Sequence, residues 1–293
     1  MDGVTLLAAY HTAYNLVGVA VVLPVIDKFT RLVERILPER SSPLMRCLDP
    51  AALATPIVAV EAVRRTVARA LAVLCRSVEV TLAGASGGDA PAPGKHALSV
   101  VEAAAALRQA QMFLSDVSGP PESEDEQRRL TSTLHALDHA ARLAETAREV
   151  ADFRMTSNEP DDMRAVQLCV EAMRDTAAVA GEIAALPAAP DGISPTVSAR
   201  ETPASPTFPF ASPAAATEQT LARLERGART LAGLRQTIRS TTLAAVAAGS
   251  GTATQAIARV DNARFLDIFA HLAWRSAAHL VGHEGQGALQ DEH

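Results

Sequence analysis

The chain has 293 residues, 48% hydrophobic but only 3% aromatic, with a formal net charge of −6 at pH 7. A core short of aromatics must be built from Ala, Leu and Val, which favours closely packed helices over sheets, and no repeated apolar–polar alternation marks a strand. The acidic balance, with no basic cluster beyond one near the N-terminus, argues against nucleic acid as a partner; Cys47, Cys75 and Cys169 are widely spaced and fit reduced structural thiols rather than disulfides or a zinc motif.

The first predicted element is Val4 to Ile26, VTLLAAYHTAYNLVGVAVVLPVI. About twenty mostly apolar residues rising about 1.5 Å each cross a hydrocarbon core of about 30 Å, so this segment is expected to be a transmembrane helix. No Lys or Arg precedes it, whereas Lys28, Arg31, Arg35, Arg40 and Arg46 follow, which predicts that everything downstream is cytoplasmic, on the inner face of the cell membrane. A cleaved signal would need a basic stretch before the apolar run, and Met1-Asp2-Gly3 supplies none. A buried soluble helix is the other alternative. Within the span His11, Asn15 and Gly18 recur at i, i+4 and i+7, with Thr12 beside them, and share one helix face. Imidazole and carboxamide groups facing lipid would lack partners, so this face is expected to pack against other helices, from a second copy or from a larger membrane protein.

Downstream, Leu48-Asp49-Pro50 and Thr55-Pro56 each place a capping residue before Pro, the arrangement that begins helices. A first stripe runs Val60, Val63, Val67, Ala70, Leu74 and ends in the turn-rich stretch Gly84 to Gly94. The second stripe is Val100, Ala104, Leu107, Leu114. Ser123 with Glu126 forms a capping box for a third, with the seam Leu130, Leu134, Leu137, Ala141, Ala144. The fourth follows Asn158-Glu159-Pro160 and carries Val166, Val170, Met173, Ala177, Ala180. Seven prolines from Pro187 to Pro213 are too many for regular structure. A fifth stripe is Leu221, Leu224, Ala228, Leu231, Ile238 and a sixth is Ile257, Val260, Phe265, Ile268, Leu272. The expected fold is therefore all-α. It comprises a transmembrane helix (1–29), a basic connector (30–57), four helices (58–186), a Pro-rich linker (187–216), two helices (217–282) and a frayed tail (283–293), with the six helices forming an antiparallel bundle of two three-helix groups.

The run YHTAYNLVGVAVVLPVIDKFTRLVERILPE, followed by LDPAALATPIVAVEAVRR, resembles the last membrane helix and exit segment of bacterial Na/Pi cotransporter family proteins, in which a His-Thr-x-aromatic-Asn-Leu-x-Gly helix leads to a Leu-Asp-Pro element and a PhoU-like helical domain. The likeness is most specific from His11 to about Arg65, with Tyr14 where Phe is more usual. It implies the C-terminal portion of a sodium-dependent phosphate transporter with a cytoplasmic PhoU-like regulatory domain, whose partners are upstream transport helices of the same or a neighbouring polypeptide, the lipid bilayer and a possible second copy. The membrane repeats with Gln-Ser-Ser motifs that bind sodium and phosphate in that family do not occur in these residues. The alternative is a membrane-anchored helical interaction module without transport activity.

An internal echo belongs with this resemblance. His139-Ala140-Ala141-Arg142-Leu143-Ala144-Glu145 aligns with Asp261-Asn262-Ala263-Arg264-Phe265-Leu266-Asp267, each placing a carboxylate three residues after Arg. Both resemble the repeated Asp-Leu-Glu-Arg-Ile-Gly-Asp element of PhoU proteins, in which i, i+4 acids can share a metal ion. Here Ala141 and Ala263 replace the first acid of each pair, so Arg142, Glu145, Arg264 and Asp267 are expected to form ion pairs or a solvated face, with no metal or other cofactor. His135 with His139, and His279 with His283, have the i, i+4 spacing of zinc ligands but no accompanying Glu or Cys pattern, which favours structural histidines. No phosphate-binding Gly loop, nucleophile elbow or Cys/His plan is present, so no enzyme is expected.

Overall fold

The computed structural model describes residues 11–12, 14–15, 42–85, 93–117, 119, 121–149, 155, 159–185 and 215–282. The chain divides into two compact units, Met1–Ser41 and Ser42–His293. In the first, His11, Thr12, Tyr14 and Asn15 are helical and exposed; Gly18 and the rest of the expected span lie outside the described residues. No helix among the described residues is long and apolar enough to cross a membrane.

The described residues of the second unit form helices and their connections, with no strand among them. Two short 3-10 helices, Pro43–Met45 and Pro50–Ala54, precede α1 (Pro56–Ala85), α2 (Pro93–Ser115), α3 (Glu124–Glu149), α4 (Pro160–Ala185), α5 (Ala215–Ala247) and α6 (Ala253–Val281). The starts follow local chemistry. Asp49 caps the second 3-10 helix by accepting from the Ala51 N–H at 2.9 Å. Ser123 Oγ accepts from the Glu126 N–H at 3.2 Å, and the Glu126 carboxylate accepts from Glu122 N–H at 2.8 Å, one residue earlier than the usual capping box would place it. Thr252 caps α6, which ends where Gly282 takes a left-handed conformation (φ 79°) that costs glycine nothing. The five residues between α5 and α6 turn the chain on Gly249, at φ 74°.

Helices α1, α2 and α3 each pack on the other two, and so do α4, α5 and α6; the triplets meet through α1 against α4 and α3 against α6. Alanine is the commonest residue of the continuous core, so many helix contacts are made by methyl groups and the axes can approach towards the lower end of the usual range of about 8–10 Å. The larger side chains at the centre include Leu71, Leu74, Leu107, Leu143, Met173, Leu231, Ile238 and Phe269.

The expected stripes of α1 and α5 are buried at every position. Several positions of the other expected stripes are only half-buried, and two are exposed, Leu134 at 46% and Ile257 at 64%. On α3 the buried stripe consists of smaller residues, Ser132, Thr133, Ala136, Ala140, Ala144 and Ala147, with Leu137 and Leu143. On α6 the buried residues surround most of the helix from Ala263 onward, because it touches α3, α4, α5 and, more lightly, α1. The predicted start of the fifth helix at 217 moves to Ala215. Residues 187–214, expected to form most of the linker, and the tail from 283 lie outside the described residues.

Candidate functional site

The α3–α6 contact brings together three of the histidines that the sequence singles out, His135, His139 and His279. Small residues make it possible: Ala136, Ala140, Ala273, Ser276 and Ala277 have no exposed surface, and Ser276 Oγ donates to the Ala136 carbonyl oxygen at 2.9 Å across the interface. At this contact the ring of His279 stacks on two imidazoles of α3, with centroids 4.9 Å from His135 and 5.5 Å from His139 and interplanar angles of 28° and 14°. One helical turn is the reason both reach it, since i and i+4 project from the same face.

The stack is electrically one-sided. Burial and then the nearby His279, Arg275, His271 and Arg142 push His139 down to about 3. Burial, followed by His135 and Arg275, pushes His279 down to about 4. Both rings are therefore neutral at pH 7, and His139 Nδ1 is buried without a hydrogen-bond partner among the described residues. Next to them on α6, His271 meets the Trp274 ring edge-on at 5.7 Å and the Arg275 guanidinium lies 5.5 Å from the same indole. Stacked rings direct their nitrogens past one another rather than towards a common point. Consistently, no group of three or more His, Cys, Asp or Glu among the described residues is arranged to hold a metal ion. His283 lies outside the described residues.

The four residues of the echoed motif do not assemble. Arg142 pairs with Asp138 of its own helix at 3.2 Å, both exposed, and Glu145 and Arg264 are exposed too. Asp267 alone turns inward, 13% exposed, and pairs with Arg235 of α5 at 3.1 Å. Burial raises its pKa, while Arg235 and His271 pull the other way. Ala263, standing where an acid partner would, is buried.

Spacing along one helix does not say which helices the other cations bind. Arg259 of α6 lies 2.9 Å from Asp162 at the start of α4, Arg223 of α5 pairs with Asp175 of α4 at 3.1 Å, and Arg174 of α4 with Glu79 of α1 at 2.9 Å. With Arg235–Asp267, each pair of helices among α4, α5 and α6 is pinned by one ion pair. Arg64 of α1 reaches furthest, its Nε donating to the Leu280 carbonyl oxygen in the last turn of α6 at 2.8 Å. Such contacts join residues far apart in sequence, which periodicity on one helix cannot reveal.

Two hollows lie away from the stack. One, of about 10 Å³, beside Asp162, Arg259 and Asn262, is large enough for roughly one water. The other, of about 100 Å³, is mainly apolar and opens between the start of α1 (Pro56, Ile57, Val60), the end of α2 and the start of α3. Cys75 and Cys169 are free and buried, and burial raises both thiols, which makes them poor nucleophiles. Comparison with protein families, curated proteins and solved structures finds no match to this chain.

Proposed function

We propose that this chain is the C-terminal portion of a sodium-dependent phosphate transporter of the Na/Pi cotransporter type, in which a membrane helix over residues 4–26 is followed by a cytoplasmic PhoU-like regulatory bundle. The observation that carries the proposal is the apposition of two helix triplets with α3 and α6, the two bearers of the echoed motif, packed on each other. A duplicated three-helix unit calls for that correspondence. The His11 to Arg65 pattern supplies the membrane and transport part of the proposal.

The regulatory part rests on how the connector is held. Leu44, Leu48, Ala52 and Leu53 pack on the bundle core, and Arg69 of α1 donates to the Pro43 carbonyl oxygen at 3.5 Å. A shift at the start of α1 is therefore felt by the segment that leads back towards the span. The upstream partner is a set of transport helices, met through the His11, Thr12, Asn15 and Gly18 face. Since a sodium-coupled pathway is built between several helices, this polypeptide reconstituted alone is expected to show no sodium-dependent phosphate uptake. Robust uptake by the purified chain would contradict the proposal.

Orientation is tested with reporters fused after His293: green fluorescent protein should fluoresce and alkaline phosphatase should stay silent, and an active phosphatase would overturn the cytoplasmic assignment. A second possibility, a membrane-anchored interaction module, is favoured by one observation: Asp267 is consumed by Arg235, so the echoed motif keeps no ion-holding chemistry. Co-purification with a Na/Pi-type transport domain supplied in trans separates the two. Specific capture, weakened a few-fold by Asn15→Leu but not by Val21→Leu, supports the transporter assignment; equal behaviour of the two variants, or no capture, favours the module.

A further inference from the structure

The three stacked imidazoles are joined to the rest of the bundle in a way that the transport proposal does not use. His279 sits in the last turns of α6, between Ser276, bonded to the Ala136 carbonyl oxygen on α3, and Leu280, whose carbonyl oxygen is held by Arg64 of α1. The end of α6 is thus the place where α1, α3 and α6 are fastened together. The stack is the element of that fastening whose charge can change between pH 5 and 7.

The groups that act on the stack are imidazoles and guanidiniums, and the acids nearby are each paired with an arginine. From α3 come His135, His139 and Arg142; from α6 come His271, Arg275 and His279. From α1 comes Arg64, which pairs with Glu61 at 3.3 Å. The acid of α6 closest in sequence, Asp267, is held by Arg235 of α5, and Asp138 of α3 is held by Arg142. A proton arriving on one ring of a face-to-face stack therefore meets two more imidazoles and a guanidinium rather than a free carboxylate. Positive charge near the C-terminus of α6 favours the helix itself. What gives way is the contact between helices, not the helix.

We infer that the His135–His139–His279 stack is an acid-triggered release, which lets the last turns of α6 leave α3 and drop the Arg64 clamp on α1 while α6 stays helical. The direction follows from linkage. His139 and His279 are neutral when stacked and recover their ordinary affinity for protons, near pH 6.5, when released, so the released form binds more protons below that pH and gains population as pH falls. At pH 5.5 an ordinary imidazole gains about tenfold over one held near 4 or below; with the discount that solvent imposes on half-buried rings, His139 and His279 together should shift release by roughly tens-fold.

The test is hydrogen exchange by mass spectrometry on the full chain in detergent at pH 7.5 and 5.5, corrected for intrinsic rates. Expected are a rise of tens-fold in the opening of peptides spanning 275–282 and 132–142, and an opening of these peptides that stays well above that of the 221–238 segment of α5 at both pH values. The double variant His139→Asn, His279→Gln should lose at least four-fifths of that pH response. No rise in the wild type, or opening of 275–282 and 132–142 no greater than that of α5 at pH 5.5, which signals general acid unfolding, overturns the proposal. Should the double variant prove unfolded by circular dichroism at pH 7.5, the histidine ring resonances of the wild type decide. Two midpoints below about 5 support the release, and midpoints all near 6.5 overturn it. Equimolar zinc is the third arm: no change in exchange is expected, whereas protection of 275–282 would make the cluster a metal site instead.

Discussion

Asp267 and Arg235 are not equal partners. Asp267 is the more buried, and burial opposes its charge, so the folded protein holds its proton more readily than the unfolded chain does. With a raised pKa the sign is the reverse of the usual acid: the cost of keeping it ionised is relieved as pH falls towards the carboxylate range. Asp267→Asn should therefore change stability by less than about 1 kcal/mol. Arg235→Ala leaves the acid without its cation and should cost about 1–2 kcal/mol; urea unfolding at pH 7 ranks the two, and a larger loss for Asp267→Asn would refute the asymmetry. All four residues of the echoed motif were read as ion-paired or solvated, and of them Asp267 makes an ion pair to another helix. Its partner, 32 positions away on another helix, was not legible, because sequence spacing on α6 says which face Asp267 occupies and nothing about what α5 presents to it.

Among the elements, α5 was easy to read and α3 and α6 were not, for a reason of geometry. Helix α5 touches only α4 and α6 in any extensive way, so one apolar stripe faces in and the 3.6-residue period stands out. Helix α6 is surrounded by neighbours and α3 packs through alanines, so a search for leucines on α3 finds Leu134, which points to solvent, and underrates Ala136 and Ala140, which do not. Three substitutions on α3 check this. Leu143→Ala, at a fully buried position, should cost about 2–5 kcal/mol. Leu134→Ala should stay within about 0.5 kcal/mol. Ala140→Leu should cost about 1–3 kcal/mol by overpacking, even though it adds apolar surface. Thermal melts that rank Leu134→Ala as the worst of the three would show that the leucine seam was right and the alanine stripe wrong.

For the whole molecule, the all-helical class, the helix order and the gathering of six helices into a bundle were legible from composition, breakers and stripes, and which helices join the two triplets was not. The chain between α4 and α5 tests the unity of that bundle. Seven prolines from Pro187 to Pro213 predict the first proteolytic cuts there. Because α4 packs on α5 and α6, and α3 on α6, the two products should remain together on gel filtration. Separation into independent fragments would mean that the contacts across the triplets are too weak to hold the bundle. Acid should also act on the whole: with His139 and His279 held at about 3 and about 4, stability should fall as pH drops below about 6.5 and keep falling towards 4, and stay flat from 7 to 8 as far as these rings are concerned. Chemical denaturation at pH 7.5, 6 and 5 measures that slope, and no loss of stability by pH 5 would exclude buried neutral histidines.

The Arg64 bond to the Leu280 carbonyl spans 216 positions, and it sets a delay during synthesis. A ribosome adding about 5–20 residues per second needs roughly 10–40 s to make that stretch. Throughout that interval the last helix cannot reach the first. Helix α1 emerges early and can pack on α2, α3 and α4 as they follow, whereas the carbonyl group that Arg64 holds in the folded protein is made only with the last turn of α6. A newborn chain stalled before Leu280 would therefore lack this bond, and its first and last bundle helices would be joined there only once that turn had been made.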